Sequence, residues 1–383
     1  MITRLAIAGY RSLRDLTLEL GQLTLITGPN GSGKSSIYRS LRLLSEAAQG
    51  RLIGSIAAEG GLPSTLWAGP EKFSQAMQRG EMPVQGTLRS GPISLRMGFS
   101  SEDFGYAIDL GLPQGGSAFP MDPEIKVEAM WTGELLGRTN VFAERRGQVV
   151  NLRRSDSGEW RSSPTNLLPF DSMVTQCADP VDGLELLLMR ERMRNWRFYD
   201  NLRTDADAPS RRPQVMTYTP ALASDGSDLA AAIATIIAIG DREALDETID
   251  DAFPGSEVAV GGEDYGVVEM RQSGLLRPLS AKELSDGTLR YLLLAAALLS
   301  PRQPEIMILN EPEASLHPSL LDALARLMLH ASRGCQIVVV SHSERLIESL
   351  RSSWDVREVK LEKRLSATCI ADHDPPRWVW PKR

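Results

Sequence analysis

The sequence predicts an α/β protein with a parallel core sheet flanked by helices, and three stretches carry that prediction. The first is Ile26-Thr27-Gly28-Pro29-Asn30-Gly31-Ser32-Gly33-Lys34-Ser35-Ser36, in which Gly28, Gly33, Lys34 and Ser35 fill every fixed position of G-x-x-x-x-G-K-[ST]. It lies between a short apolar run, Leu23–Ile26, and a helical pattern through Ile37, Leu41, Leu44 and Ala48. The second and third are apolar runs at Ile306–Leu309 and Gln336–Val340, ending respectively in Asn310-Glu311 and Ser341-His342. Such runs read as buried strands, and in parallel sheets ligands bind outside the C-terminal strand ends. An antiparallel β subdomain and a helical lobe complete the prediction.

Bulk composition sets the bounds. The chain has 383 residues, 42% hydrophobic and 24% charged, which is ordinary for a globular protein with a sizeable core. With 42 basic and 49 acidic residues the net charge is −7. No bulk footprint for nucleic acid appears, although a local basic groove is compatible with that balance. No apolar run reaches the roughly 18 residues of a membrane helix. The N-terminus opens directly into strand-like residues without a signal-peptide pattern. Cys177, Cys335 and Cys369 are odd in number and widely spaced, which argues for free thiols rather than a disulfide framework or zinc site. A cytoplasmic location is expected.

Along the chain, Ile2, Leu5 and Ile7 mark a first strand, and Leu16, Leu18 and Leu20 a second; Gly21 turns into the loop strand. Residues 50–80, rich in Gly, Ser and Pro, read as a long irregular connection. From Val84 to Arg154 the period is two, and Thr87–Arg89, Ile93–Met97, Tyr106–Leu110, Ile125–Ala129 and Val149–Leu152 are predicted antiparallel strands. Residues 165–200 turn helical. There Trp196, Phe198 and Tyr199 cluster with Arg190, Arg192, Arg194 and Arg197. Stacking on single-stranded nucleic acid is one reading. An amphipathic helix with inward aromatics is favoured, because the cluster has no defined spacing. Residues 201–220 read as loop, Leu229–Ile239 as an apolar helix stopped by Gly240, and Arg242–Ala252 as a second helix. No heptad pattern is sustained, so no long coiled coil is expected. Boundaries fall at 1–50 for the half with the glycine loop, 51–274 for an inserted β-rich and helical lobe, 275–372 for the half with the later motifs, and 373–383 for a tail.

The glycine loop carries the clearest chemistry. Glycines let backbone N–H groups wrap phosphates, and the following helix adds its positive N-terminus. Asn30, Gly31, Ser32, Gly33, Lys34, Ser35 and Ser36 are the candidate nucleotide contacts, with Lys34 reaching the β- and γ-phosphates and the Ser35 hydroxyl binding Mg2+. Glu311, at a strand end, can accept a proton from an attacking water. His342, at another strand end, is a candidate γ-phosphate sensor. Ser341 and Glu344 have the spacing of a capping box for the next helix. Leu284-Ser285-Asp286-Gly287-Thr288 opens the all-apolar helix Leu289–Leu299 and makes a second anion-binding helix start, suited to a neighbouring subunit.

In this order the motifs resemble the ABC-type ATPase head of RecF, OLD-type and structural-maintenance-of-chromosomes proteins. More closely, they resemble the bacterial predicted AAA-family ATPases that carry such a head without a transporter. The resemblance covers residues 1–50 and about 275–350: Gly28–Ser36 as Walker A, Leu284–Thr288 as the signature, Ile306–Glu311 as Walker B with the catalytic glutamate, Ala314–Pro318 as the D-loop, and His342 as the switch histidine. It implies ATP and Mg2+ as ligands, Glu311 and His342 as catalytic residues, and Arg11 and Ser12 lining the nucleotide pocket. It further implies a homodimer whose two heads sandwich two ATPs, each between one Walker A loop and residues Ser285 to Gly287 of the other head. The chain departs from the family at Asn310, where an Asp normally holds Mg2+ through water. Asn310 keeps an acceptor oxygen without the charge, so weaker Mg2+ affinity and slow turnover are expected.

The leading functional expectation is an ATP-hydrolysing, ATP-dimerised switch in DNA repair or phage defence. The alternative is an ATP-gated scaffold with little or no hydrolysis that controls a partner effector, and Asn310 is the residue that favours it. A nuclease needs a further acidic metal cluster, and the stretch after Val359 is too short for a toprim-like domain. The β-rich stretch and the Glu311–Pro318 run argue against a transporter subunit.

Overall fold

The computed structural model describes residues 1–71, 73–79, 81–82, 91–113, 115–154, 157–163, 166–179, 183–262, 264–371 and 374–383. The predicted strand at Thr87–Arg89, and Val84 before it, lie outside these residues. The chain folds as two compact units: Met1–Gly21, Ile26–Trp196 and Val359–Arg383 form one, and Gln22–Leu25 with Arg197–Glu358 the other.

In the first unit the opening apolar pattern folds as β1 (Ile2–Tyr10) and β2 (Leu13–Glu19), an antiparallel pair. β3 (Leu23–Thr27), buried throughout, belongs to the second unit as far as Leu25 and from Ile26 onward runs in the first unit into the glycine loop and helix α1 (Lys34–Ala47). The stretch expected to be irregular instead forms three short helices, α2 (Leu52–Ala58), α3 (Leu62–Thr65) and α4 (Gln75–Gln78). Burial of Leu52, Ile56 and Leu62 outweighs the low helix propensity of the neighbouring Gly and Ser residues. Strands β4 (Leu95–Ser101), β5 (Phe104–Gly111), β6 (Glu124–Thr132), β7 (Val141–Arg146), β8 (Val149–Arg153) and β9 (Trp160–Ser162) continue the first hairpin as one antiparallel sheet, in the order β2-β1-β4-β5-β6-β7-β8-β9. Helices α5 (Met173–Gln176) and α6 (Leu184–Arg194) follow, and Trp196 packs edge-on to Phe99 with ring centroids 5.1 Å apart.

A buried ion pair pins this sheet. Glu128 on β6 and Arg145 on β7 are cross-strand partners, both fully buried, with Arg145 Nη1 3.2 Å from Glu128 Oε2. Glu128 also accepts from Tyr106 Oη at 2.7 Å, from the Met173 N–H at 2.8 Å and from the Ser172 hydroxyl. Arg145 donates to the carbonyls of Gly147 at 2.7 Å and Leu168 at 2.9 Å, and to that of Asp171. Burial, then Glu128, push the Tyr106 phenol well above its ordinary range. The C-terminal residues dock on the same sheet: Trp378 meets Trp131 at 5.6 Å between centroids, and Arg383 grips Asp109 at 2.7 and 2.8 Å.

In the second unit the chain starts with β10 (Arg197–Tyr199), so Phe198 and Tyr199 are strand residues rather than part of the expected helix. Both are buried, as is Trp196, consistent with inward aromatics. β11 (Gln214–Val215), helices α7 (Leu229–Ile239) and α8 (Arg242–Ala252), then β12 (Ser256–Gly261), β13 (Tyr265–Gln272) and β14 (Leu279–Ser280) make a small antiparallel sheet with helices beside it. Helix α9 (Asp286–Leu298) is apolar on all sides from Tyr291 onward, where it runs through the core, and carries Asp286, Thr288 and Arg290 near its start. β15 (Ile306–Asn310) and β16 (Gln336–Val340), separated by α10 (Leu321–Ala331), pair in parallel, and β10 pairs in parallel with β15. Residues Leu23–Leu25 of β3 lie next to β16. After α11 (Glu344–Arg351), β17 (Val356–Arg364) and β18 (Ala367–Ile370) return the chain to the first unit, where they form an antiparallel hairpin.

The longest described helix is α1 with 14 residues, and no described helix is long and apolar enough to cross a membrane. Glu128→Ala leaves the Arg145 guanidinium buried without its carboxylate, and a loss of about 3–5 kcal/mol is expected. Chemical denaturation followed by tryptophan fluorescence measures it.

Candidate functional site

In the first unit the glycine loop is set by close approach. Gly28 has φ +143°, and a Cβ there would lie 2.5 Å from the Leu361 carbonyl oxygen of β17. Gly33, at φ +108°, caps the start of α1, and a Cβ there would collide with the Thr368 hydroxyl of β18. Only glycine meets both demands, of space and of a left-handed backbone. Thr368 Oγ1 donates to the Ser32 carbonyl at 2.7 Å and shares a hydrogen bond with Ser12 Oγ at 2.8 Å, while its N–H donates to the Ser12 carbonyl at 2.8 Å. Ser12 is thus tied to the loop through Thr368.

Within the loop, Asn30, Gly31 and Ser35 are exposed, whereas Ser32, Gly33, Lys34 and Ser36 are buried. Lys34 Nζ donates to the carbonyls of Gly28 at 2.6 Å and Pro29 at 3.2 Å. Among the described residues the buried Ser32 hydroxyl has no hydrogen-bond partner. No acidic residue occupies the first turn of α1, so the helix's positive end is uncompensated there. Arg11, at φ +48°, pairs with Glu59 at 2.6 Å, and Tyr10 Oη donates to both oxygens of the same carboxylate at 3.0 and 2.8 Å. Burial opposes the Arg11 charge, but the bond to Glu59 leaves its pKa raised.

In the second unit the polar residues sit on turns at the ends of parallel strands. Asn310 ends β15, half-buried, and its Oδ1 is buried without a partner among the described residues. Glu311 follows at φ +49°, its N–H donating to the Val340 carbonyl at 2.8 Å. Arg290 of α9 donates to the Leu202 carbonyl at 2.8 Å and, more weakly, to the Glu311 carbonyl at 3.4 Å. Burial lowers the Arg290 pKa, against the opposing pull of Glu313 and Asp200. His342 Nδ1 is 3.7 Å from Glu311 Oε1 and 3.5 Å from Glu313 Oε1. The Ser341 hydroxyl, expected to cap α11, instead donates to Glu313; Ser343 is the N-cap and accepts from the Leu346 N–H. A buried carboxylate outcompetes a helix end for that hydroxyl.

Ser285 caps α9, with its Oγ 3.1 Å from the Thr288 nitrogen. A Cβ on Gly287 would lie 3.0 Å from the Ser315 carbonyl, so this helix start abuts the turn after β15. Arg211, buried in the segment expected as loop, braces it by donating to the carbonyls of Ala281 at 2.7 Å and Leu284 at 2.8 Å and to Asp286 at 2.7 Å. His317 caps a short 3-10 turn at Pro318–Leu320. Arg211, Arg290, Glu313 and Thr368 were not singled out by the sequence. Glu313 alone stood inside a motif, the Glu311–Pro318 run.

Comparison with known proteins adds the family. Residues 157–348, just over half of the chain, match the family described as "AAA domain, putative AbiEii toxin, Type IV TA system". The chain belongs to that AAA-domain family. Residues 4–45 of this AAA protein match a second family described as "AAA domain". It is 48% identical over 44 residues to the OLD nuclease of Thermus scotoductus, which is 12% of this chain and 8% of that one. It is 40% identical over 86 residues to the zinc import ATP-binding protein ZnuC of Halorhodospira halophila, 22% of this chain and 30% of that one. The matches thus span under a third of either relative. A solved SMC head, bound to the C-winged-helix domain of ScpA, shares the fold at TM-score 0.51 and 12% identity, over 97% of both chains. This AAA protein thus has the α/β P-loop fold of an SMC head, with shorter stretches similar to an OLD nuclease and to an ABC-type ATP-binding protein.

Gly33→Ala is expected to cost about 1–3 kcal/mol from overpacking against Thr368 and to weaken ATP binding. On a Thr368→Ala background that cost shrinks. A four-variant cycle of melting and ATP titration measures the coupling.

Proposed function

We propose that the chain hydrolyses ATP and uses it as a dimerisation switch. The observation that carries the reading is the set of turns at strand ends in the second unit, where Glu311 and His342 sit with their side chains within 3.7 Å, together with the glycine loop and Lys34 of the first unit. The loop N–H groups from Asn30 to Ser36 hold the phosphates, and Lys34 pairs with the β- and γ-phosphates. Arg11 and Ser12 border the nucleotide. Glu311 accepts the proton of the attacking water, and His342 senses the γ-phosphate.

Each unit offers a donor suited to Mg2+: in the first the exposed Ser35 hydroxyl, and in the second Asn310, whose buried Oδ1, without a partner among the described residues, can accept from a metal-bound water. The ion would offset charge on the phosphate oxygens. Ser285 and Gly287 would contact the nucleotide held by a second copy, making ATP the glue of a homodimer, and release after hydrolysis reopens it. Defence against phage and DNA repair are the two settings; the toxin–antitoxin description of the family supports the first. A partner effector and a cytoplasmic location belong to the same proposal.

Asn310 supports a second reading, an ATP-gated scaffold with little hydrolysis, since a neutral amide holds Mg2+ less firmly than a carboxylate. Steady-state phosphate release separates the two. Glu311→Gln is expected to lower kcat by roughly 10²–10⁴-fold and to trap an ATP-bound dimer by light scattering, which Ser285→Arg prevents. Tight ATP binding with no phosphate release from the wild type sinks the hydrolase and leaves the scaffold.

A further inference from the structure

We infer that Glu313 is a positioning residue that ties the turn carrying Glu311 to the turn carrying His342. The inference rests on the ATPase reading for its catalytic consequence, though not for the tether itself. Glu313 is 8% exposed, and one of its oxygens, Oε1, gathers three donors from the turn after β16: the Ser341 hydroxyl at 2.7 Å, the His342 N–H at 3.0 Å and the Ser343 N–H at 3.2 Å. The same oxygen lies 3.5 Å from His342 Nδ1.

Two consecutive N–H groups and a hydroxyl converging on one buried carboxylate oxygen fix the backbone at His342, and with it the origin of the imidazole. The other end of the tether is two residues from Glu311, whose left-handed φ of +49° persists only where surrounding contacts hold it. Charge-assisted hydrogen bonds of this kind are stronger than neutral ones, and removing the acceptor leaves three donors without it. A general base and a γ-phosphate sensor must share one geometry, and they arise from turns on neighbouring strands. Glu313 supplies that shared geometry without touching substrate.

Two measurements on the full chain test this. Hydrogen exchange at the 342 amide reads the tether directly: Glu313→Ala is expected to lose its protection, while the 343 amide, which also donates to Ser341 Oγ at 3.1 Å, loses less and β16 keeps its own. Unchanged protection overturns the inference. ATP turnover reads the consequence: Glu313→Ala is expected to lower kcat about 100-fold, with ATP affinity unchanged, and to cause no further drop in a His342→Ala background. Glu313→Gln, which keeps an acceptor oxygen, restores most of the rate. An equal loss with and without His342, or a wild-type kcat in Glu313→Ala, overturns it. If Glu313→Ala does not fold, Glu313→Asp decides, since it withdraws the carboxylate by one methylene; normal exchange and normal kcat there overturn the inference. A wild type without turnover, as inert as Glu311→Gln, removes the ATPase reading, and the exchange result still decides the tether.

Discussion

The absence of a side chain at Gly33 is the constraint on which the phosphate loop depends. The β18 hydroxyl of Thr368 occupies the space a Cβ would need, and from there it reaches both the Ser32 carbonyl and Ser12. Gly28 meets the Leu361 carbonyl of β17 in the same way. The loop is therefore held from outside by a hairpin near the C-terminus, in addition to its own Ser32 N–H to Pro29 carbonyl bond of 3.1 Å. Such outside support suits a loop that must keep its shape when phosphate is absent.

The second unit solves a related problem with charge. Its candidate reactive side chains lie on turns after β15, β16 and before α9, where many backbone groups lack ladder partners. Glu313 gathers N–H groups on one turn, Arg211 gathers carbonyls on another, and Arg290 bridges Leu202 to Glu311. Each is a buried ion whose bonds go chiefly to backbone, so each acts as a local template. Removing one leaves a buried set of unpaired groups, which costs more than an exposed ion pair would.

Much of this was legible in the sequence because it is local. The glycine loop, the apolar runs of β15 and β16, and the start of α9 are continuous patterns, and α7 and α8 follow the helical bounds expected of them. What escaped is long-range or small. Thr368 reaches Ser32 across 336 residues, Arg211 reaches Leu284 across 73, and Ser341 chooses Glu313 across 28 in preference to its own helix. No window of sequence displays such pairings. The helices between Leu52 and Gln78 were missed because tertiary burial overrides weak local propensity, and Phe198-Tyr199 because three apolar-and-charged residues fit either period. Asn310 was legible as a departure, and its buried oxygen, without a partner among the described residues, gives that departure a physical form.

The account stands on the glycine loop being a triphosphate site in which Lys34 carries the charge pairing. Calorimetric titration of ATP, and separately of AMP, into the wild type and Lys34→Ala tests that most directly. Saturable ATP binding, much weaker AMP binding and the loss of ATP binding in Lys34→Ala are the results it predicts. ATP binding undiminished in a folded Lys34→Ala, or equal affinity for AMP and ATP, would contradict it.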